Sequence, residues 1–123
     1  MITSDFTQEI TQLHADICSA LADPSRILIL YALHEKPCNV NTIAEELGIS
    51  QSAASRHLNM LRERGLVTSR RDGQSVLNAL TDPRVIEALD LLRSVLTNKL
   101  KNQAALAGTV EAHDDTTIST EIH

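Results

Sequence analysis

Apolar residues recur along this chain with two different periods. Between residues 7 and 22, Ile10, Leu13, Ile17 and Leu21 fall at steps of three and four, the spacing of one helix face. Asp23-Pro24 reads as an N-cap followed by proline at the first helical position. It opens a second helix to about His34, with Ile27, Leu28, Leu30 and Tyr31 expected inward, and Pro37 prevents its continuation. Asn41 to Leu47 forms a short helix with apolar Ile43, Ala44 and Leu47, broken at Gly48. A longer helical run, QSAASRHLNMLRERG, begins at Gln51. After Gly65, LVTSRRDGQSVLNAL predicts a strand, a turn at Asp72-Gly73 and a second strand. Asp82-Pro83 repeats the cap signature and opens a last helix to about Leu106. Its stripe is Val85, Leu89, Leu92, Leu96 and Leu100, close to a heptad seam, with Ile86 and Val95 beside it.

Two helices joined by a glycine turn, then a hairpin with a basic tip, predict a mainly α fold with a small β-hairpin: a winged helix-turn-helix. A single small domain has little left to cover the long stripe of the last helix. Leu89, Leu92, Leu96 and Leu100 are therefore expected to form a dimer interface. Residues 1–107 read as one winged helix-turn-helix domain with dimerisation helices at both ends. From Gly108 the chain is Thr-rich, acidic and aperiodic, and 108–123 is expected to be a disordered tail.

The helix beginning at Gln51 has two unlike sides. At about 100° per residue, Ala54, Leu58 and Leu61 cluster on one side and must face the core. The opposite side carries Ser52, Ser55, Arg56 and Asn59, with Arg62 and Glu63 at its edges. Arginine can bond guanine bidentately, asparagine can do so with adenine, and serine can donate or accept. Gln51, at the helix start, is placed for a phosphate, as are the unbonded N–H groups of that first turn. His57 lies on the flank of the apolar side, as a half-buried, hydrogen-bonded histidine or as a backbone contact. At the hairpin, Arg70, Arg71 and Gln74 surround the turn, where long side chains can reach phosphates or a minor groove.

The net charge of −5 on 123 residues argues superficially against DNA. Its distribution reverses that. From Gln51 to Ser75 the charged residues are Arg56, Arg62, Glu63, Arg64, Arg70, Arg71 and Asp72, whereas the tail holds Glu111, Asp114, Asp115 and Glu121 with no Lys or Arg. Local field outweighs the total when phosphates lie within a Debye length, about 8–10 Å. One Phe and one Tyr leave the core to Leu, Ile, Val and Ala. There is neither a run long enough for a membrane span nor the basic and apolar blocks of a signal peptide. Two cysteines without a secretion signal point to reduced thiols in the cytoplasm.

Residues 13–100 resemble the ArsR/SmtB family of bacterial repressors. The similarity is strongest in ALADPSRILIL at 20–30, IAEELGISQSAASRHLNMLRERGLV at 43–67 and RRDGQSVLNAL at 70–80. The resemblance implies a dimeric winged helix that binds palindromic operators and is released by an inducer, often a metal or metalloid. It implies residues 51–59 as the reading helix and the first and last helices as the dimer interface. The family's inducer sites fit poorly. Of one site on the last helix only Asp82 matches, with Arg84, Val95 and Asn98 at the other ligand positions. Asp82 then reads better as a helix cap. Of a Cys-x-Cys site Cys38 is present, but Val40 replaces its partner.

What remains for sensing is two His/Cys pairs, His14 with Cys18 and His34 with Cys38, each four residues apart. Together they supply the ligands of a tetrahedral site for a thiophilic metal or metalloid. They could instead act by thiol capture or oxidation at Cys18 and Cys38, or sense nothing. Cys18 borders the apolar stripe of its helix and is expected to be a small buried residue. Cys38, beside Pro37 in a loop, is expected to be exposed. His113, Asp114, Asp115 and His123 read as a solvated tail. Enzymology finds no support, since no phosphate loop, G-x-S-x-G or Cys-x-x-Cys occurs. Three readings follow: an inducible dimeric repressor on double-stranded DNA, a constitutive DNA-binding or architectural protein, and a winged helix used for protein contacts.

Overall fold

The computed structural model describes residues 1–110. It contains α1 (Ser4–Leu13), a π turn (His14–Cys18) that prolongs it, α2 (Pro24–Glu35), α3 (Val40–Leu47), α4 (Gln51–Glu63), β1 (Val67–Asp72), β2 (Ser75–Leu80) and α5 (Arg84–Val110). Two compact units are distinguished, residues 1–86 and the part of the chain from Glu87 onward. Of the expected tail 108–123, residues 108–110 belong to α5, and 111–123, with His113, Asp114, Asp115 and His123, lie outside the described residues. No described helix is long and apolar enough to cross a membrane.

Each helix of the first unit starts on a side chain that accepts an otherwise orphaned N–H. Thr3 accepts from Phe6 N (3.1 Å), Asp23 from Ser25 N (2.8 Å), Asn39 from Thr42 N (2.9 Å) and Ser50 from Ala53 N (3.1 Å). The turn between α3 and α4 depends on Gly48, which takes the left-handed conformation at φ 67°. Its N–H and that of Ile49 then reach back to the last carbonyls of α3, those of Ala44 and Glu45. An added Cβ at Gly48 would meet nothing within 4 Å, so the conformation alone forbids a side chain. Gly48→Ala is expected to lower unfolding free energy by about 1–2 kcal/mol with unchanged packing, read from a shifted denaturation midpoint at constant m-value.

The core of the first unit is aliphatic. Ile29, Leu30, Ile43, Leu58, Leu61 and Val67 are its largest fully buried side chains. The inward face of α4 is the expected one, Ala54, Leu58 and Leu61. The inward face of α2 is not. Ile29, Leu30 and Leu33 are buried, Ile27 and Tyr31 are half-buried, and Leu28 is 56% exposed. The helix is apolar all round, so periodicity could not fix its phase. No residue of α1 is buried, and Phe6, Ile10 and Leu13 stand exposed.

β1 and β2 pair antiparallel from Val67↔Leu80 to Asp72↔Ser75. The central turn residues are Gly73 and Gln74, one place later than expected, and Gly73 has φ 64°. A positive φ at the first central position alone fits a II′ turn, which needs glycine there and leaves Gln74 in an ordinary conformation. An isolated bridge, Cys38↔Asn78, ties the α2–α3 loop to β2.

In the last helix, Leu89 is buried, Leu92 and Leu96 are exposed and Leu100 is half-buried. Exposed Leu91 and Val95 widen the stripe. The helix continues to Val110, beyond the expected end near Leu106.

Candidate nucleic-acid interface

α4 presents Gln51, Ser52, Arg56 and Asn59 to solvent, with Ser55 half-buried, above the packed row of Ala54, Leu58 and Leu61. Arg70, Arg71 and Gln74 are exposed on the hairpin, which is the wing. All eight expected DNA-contact residues are therefore on α4 and the wing. The α4 side chains are carried by a helix whose opposite face is locked in the core. This rigidity favours reading, because a base contact demands a fixed donor direction.

Two arginines at the end of α4 behave differently from what their sequence positions suggest. Arg62 joins the helix to the wing: it donates to the Asn59 side-chain oxygen and, at 3.2 Å, to Ser69 Oγ of β1. Its sequence position is the edge of the reading face, and its link to Ser69 depends on how β1 packs. Arg64 turns away from the reading face. It donates to the Ala15 carbonyl (3.1 Å) and lies 3.5 Å from the Asp16 carboxylate, both in the π turn. Its charge therefore serves the link between α4 and the first helix. A second such link is Arg26 of α2. It donates to the carbonyls of Ala20 (2.7 Å) and Ser19 (3.3 Å), and its guanidinium lies 3.4 Å from His57 Nδ1. Half-buried His57 thus contacts a neighbour within the chain.

Between wing and helix lies a cleft of about 370 Å³. α3, α4 and the hairpin all contribute to its walls.

The cysteine expectations are reversed. Cys38 is buried and Cys18 is exposed, and both are free thiols. Lys36 adopts an extended conformation after α2 and sends Cys38 against β2. There Cys38 N donates to the Asn78 carbonyl (3.1 Å), and Asn78 N returns the bond to the Cys38 carbonyl (2.9 Å). The buried Asn78 side chain also donates to that carbonyl at 3.2 Å. Burial pushes the Cys38 thiol above its usual pKa, helped by Glu46 and opposed by Lys36. Cys18 closes the π turn, on a helix segment with no buried residue. His14 and His34 are both exposed. Among the described residues no three His, Cys, Asp or Glu side chains are grouped to hold a metal ion. The four-ligand set His14, Cys18, His34 and Cys38 is therefore not assembled within one chain.

Asp82 accepts from the Arg84 backbone N–H (2.9 Å) and pairs with its guanidinium (2.7 Å). The guanidinium first, and the backbone N–H second, hold its carboxyl below the usual carboxylate pKa, and the backbone bond is that of a helix cap.

Comparison with known proteins agrees with this geometry. Residues 23–69 match the model of the bacterial regulatory proteins of the arsR family. The nodulation protein NolR of Rhizobium meliloti is 37% identical over 87 residues, covering 71% of either chain. The probable mercury resistance operon repressor of Streptomyces lividans is 35% identical over 104 residues, 81% of either chain. Among solved structures, the homodimeric winged helix-turn-helix DNA-binding domain of Mb0332 from Mycobacterium bovis superposes with a TM-score of 0.67 at 27% identity. That match covers 77% of this chain and 87% of the domain.

Proposed function

The chain belongs to the arsR family of bacterial regulatory proteins, and from that premise we propose that it is a homodimeric repressor. It holds an imperfectly palindromic operator and releases it on meeting a thiophilic metal, a metalloid or a thiol-reactive compound. As a transcriptional regulator it is not an enzyme. The observation that carries the reading is the exposed row of Ser52, Arg56 and Asn59 on α4 beside the basic wing. Two such helices related by a two-fold axis would enter successive major grooves about 34 Å apart, which demands a palindrome. The solved homodimer of similar fold and the unburied apolar side chains of α1 and α5 support the two-fold assembly.

Support for a sulfur-directed inducer comes from the mercury-resistance relative and from Cys18. Cys18 is open to solvent, whereas Cys38 is enclosed. Soft metal ions and metalloids bind thiolates in preference to oxygen ligands. An adduct in the π turn also has a route to the reading helix, because Arg64, at the end of α4, is bonded to Ala15 in that turn. The native protein is expected to expose one fast-reacting thiol per chain, with the second reacting only on unfolding. Cys18→Ser should remove the fast phase in a timed thiol-labelling assay, and Cys38→Ala should leave it.

The test of the whole reading is a footprint on the DNA upstream of the chain's own gene, repeated with arsenite, cadmium and a mild oxidant. Protection that disappears on their addition, and is retained in Cys18→Ser, is the expected result. Protection indifferent to every agent favours a constitutive DNA-binding protein, and no protection at all defeats the operator reading. On the wing, Arg70→Ala and Arg71→Ala are expected to weaken all DNA sequences alike. Each should lower the salt slope by about 0.9 for every phosphate it no longer neutralises, measured by fluorescence anisotropy across a salt series.

A further inference from the structure

The cleft between wing and reading helix is lined mostly by polar side chains. Asn39 and Asn41 come from the start of α3, Ser55 and Arg62 from α4, and Gln74 and Ser75 from the hairpin. Among the described residues no carboxylate lines it, in a chain that carries sixteen Asp and Glu residues against eleven Lys and Arg. Of those residues Arg62 alone brings a full charge to its walls. Such a lining rejects a metal cation, and its few apolar members, Val40, Leu58 and Val76, are too sparse to hold an apolar ligand. It suits an anion that accepts several hydrogen bonds.

We propose that this cleft seats one phosphodiester of the DNA backbone, with Arg62 as its cation, and so fixes the register of α4 in the groove. The inference rests on the operator-binding reading. With α4 in a major groove and the wing across the neighbouring backbone, the strand between them must run along the cleft. Arg62 is already oriented for the task. A guanidinium has five N–H donors, of which one points to Asn59 and one to Ser69, leaving three for an oxyanion. Because the side chain is held before DNA arrives, little rotamer entropy is lost on binding. Asn41, exposed at the second position of α3, adds an amide at the mouth. The bond to Ser69 ties α4 to the wing, so a phosphate on Arg62 fixes both elements on the backbone at once.

The experiment uses the full chain, its operator and a scrambled duplex of equal length, with affinity measured over a salt series. Arg62→Gln should lose on the order of 10-fold in affinity on both duplexes, as a charge-assisted bond does. It should also flatten the logarithmic salt slope by about one per half-site. Arg62→Lys keeps the charge and should recover the slope. Asn41→Asp places a carboxylate at the mouth. Acidic groups favour the first turn of a helix, so this variant should melt no lower than wild type and yet bind both duplexes more weakly. An unchanged slope in Arg62→Gln, or a changed base preference with the slope intact, overturns the phosphate seat. Failure of the wild-type chain to bind any DNA would instead overturn the operator reading beneath it.

Discussion

Leu92→Glu is expected to turn the protein into a monomer and to cost at least roughly 100-fold in operator affinity. On α5, Leu91, Leu92, Val95 and Leu96 are exposed by 70, 62, 64 and 54%, a contiguous apolar face one helix turn long and two residues wide. Covering side chains of this size contributes about 1.5–3 kcal/mol each, so the face is a strong source of association. In a two-fold interface every residue occurs twice. One substitution therefore brings two glutamates into the seam, and each must be desolvated or protonated there, at several kcal/mol. The consequence for DNA is larger than for assembly. A dimer engages two half-sites, and the second contact is effectively intramolecular, worth roughly 100- to 10,000-fold over one site. A monomer forfeits that gain although its reading face is intact. Sedimentation velocity at micromolar concentration and anisotropy on the operator measure the two effects. A wild-type chain that sediments as a monomer, or a dimeric Leu92→Glu chain, would sink the idea.

The parts of this molecule that are legible in its sequence are those where polar and apolar residues alternate sharply. α4 is the clearest, because Ser52, Arg56 and Asn59 on one side leave only Ala54, Leu58 and Leu61 for the core. α2 has no such contrast. Its run ILILYAL is apolar on every face, and what decides that Ile29 is buried and Leu28 exposed is the position of neighbouring elements. The hairpin is recognisable from Asp72-Gly73, yet its register follows from Gly73 taking the first central turn position.

The candidate site divides along the same line. Exposure on α4 and the wing follows from local pattern: seven of the eight expected contact residues are exposed, and Ser55 is half-buried. Arg62, Arg64 and both cysteines escape such reading because their environments are long-range. Cys38 is buried by a bridge to Asn78, forty residues away. A loop position beside proline gives no hint of that. Cys18 is exposed because no described residue covers that side of the π turn, a property of the fold and not of the stripe Cys18 borders. Arg64 looks like part of a basic patch until its long side chain is seen to reach the Ala15 carbonyl and the Asp16 carboxylate.

Arg56→Ala should separate reading from mere adhesion. Arg56 stands in the middle of the exposed face of α4, opposite buried Leu58. A guanidinium there can meet the O6 and N7 acceptors of a guanine with two parallel bonds, a pair worth about 1–3 kcal/mol of discrimination. Removing it is expected to weaken operator binding by that amount per half-site and to relax preference at one base position in each half. Affinity for scrambled DNA should fall much less. The salt slope should change little, because a base contact releases no counterion. The wing arginines and Arg62 are expected to do the opposite, lowering affinity for every sequence and flattening the slope. The two signatures can be read from one set of titrations on the operator, on operators substituted singly at each position, and on a scrambled duplex. If Arg56→Ala binds the operator as wild type does, the reading face lies elsewhere on α4. If it weakens every duplex equally, Arg56 holds a phosphate, and base discrimination must come from Ser52, Ser55 or Asn59.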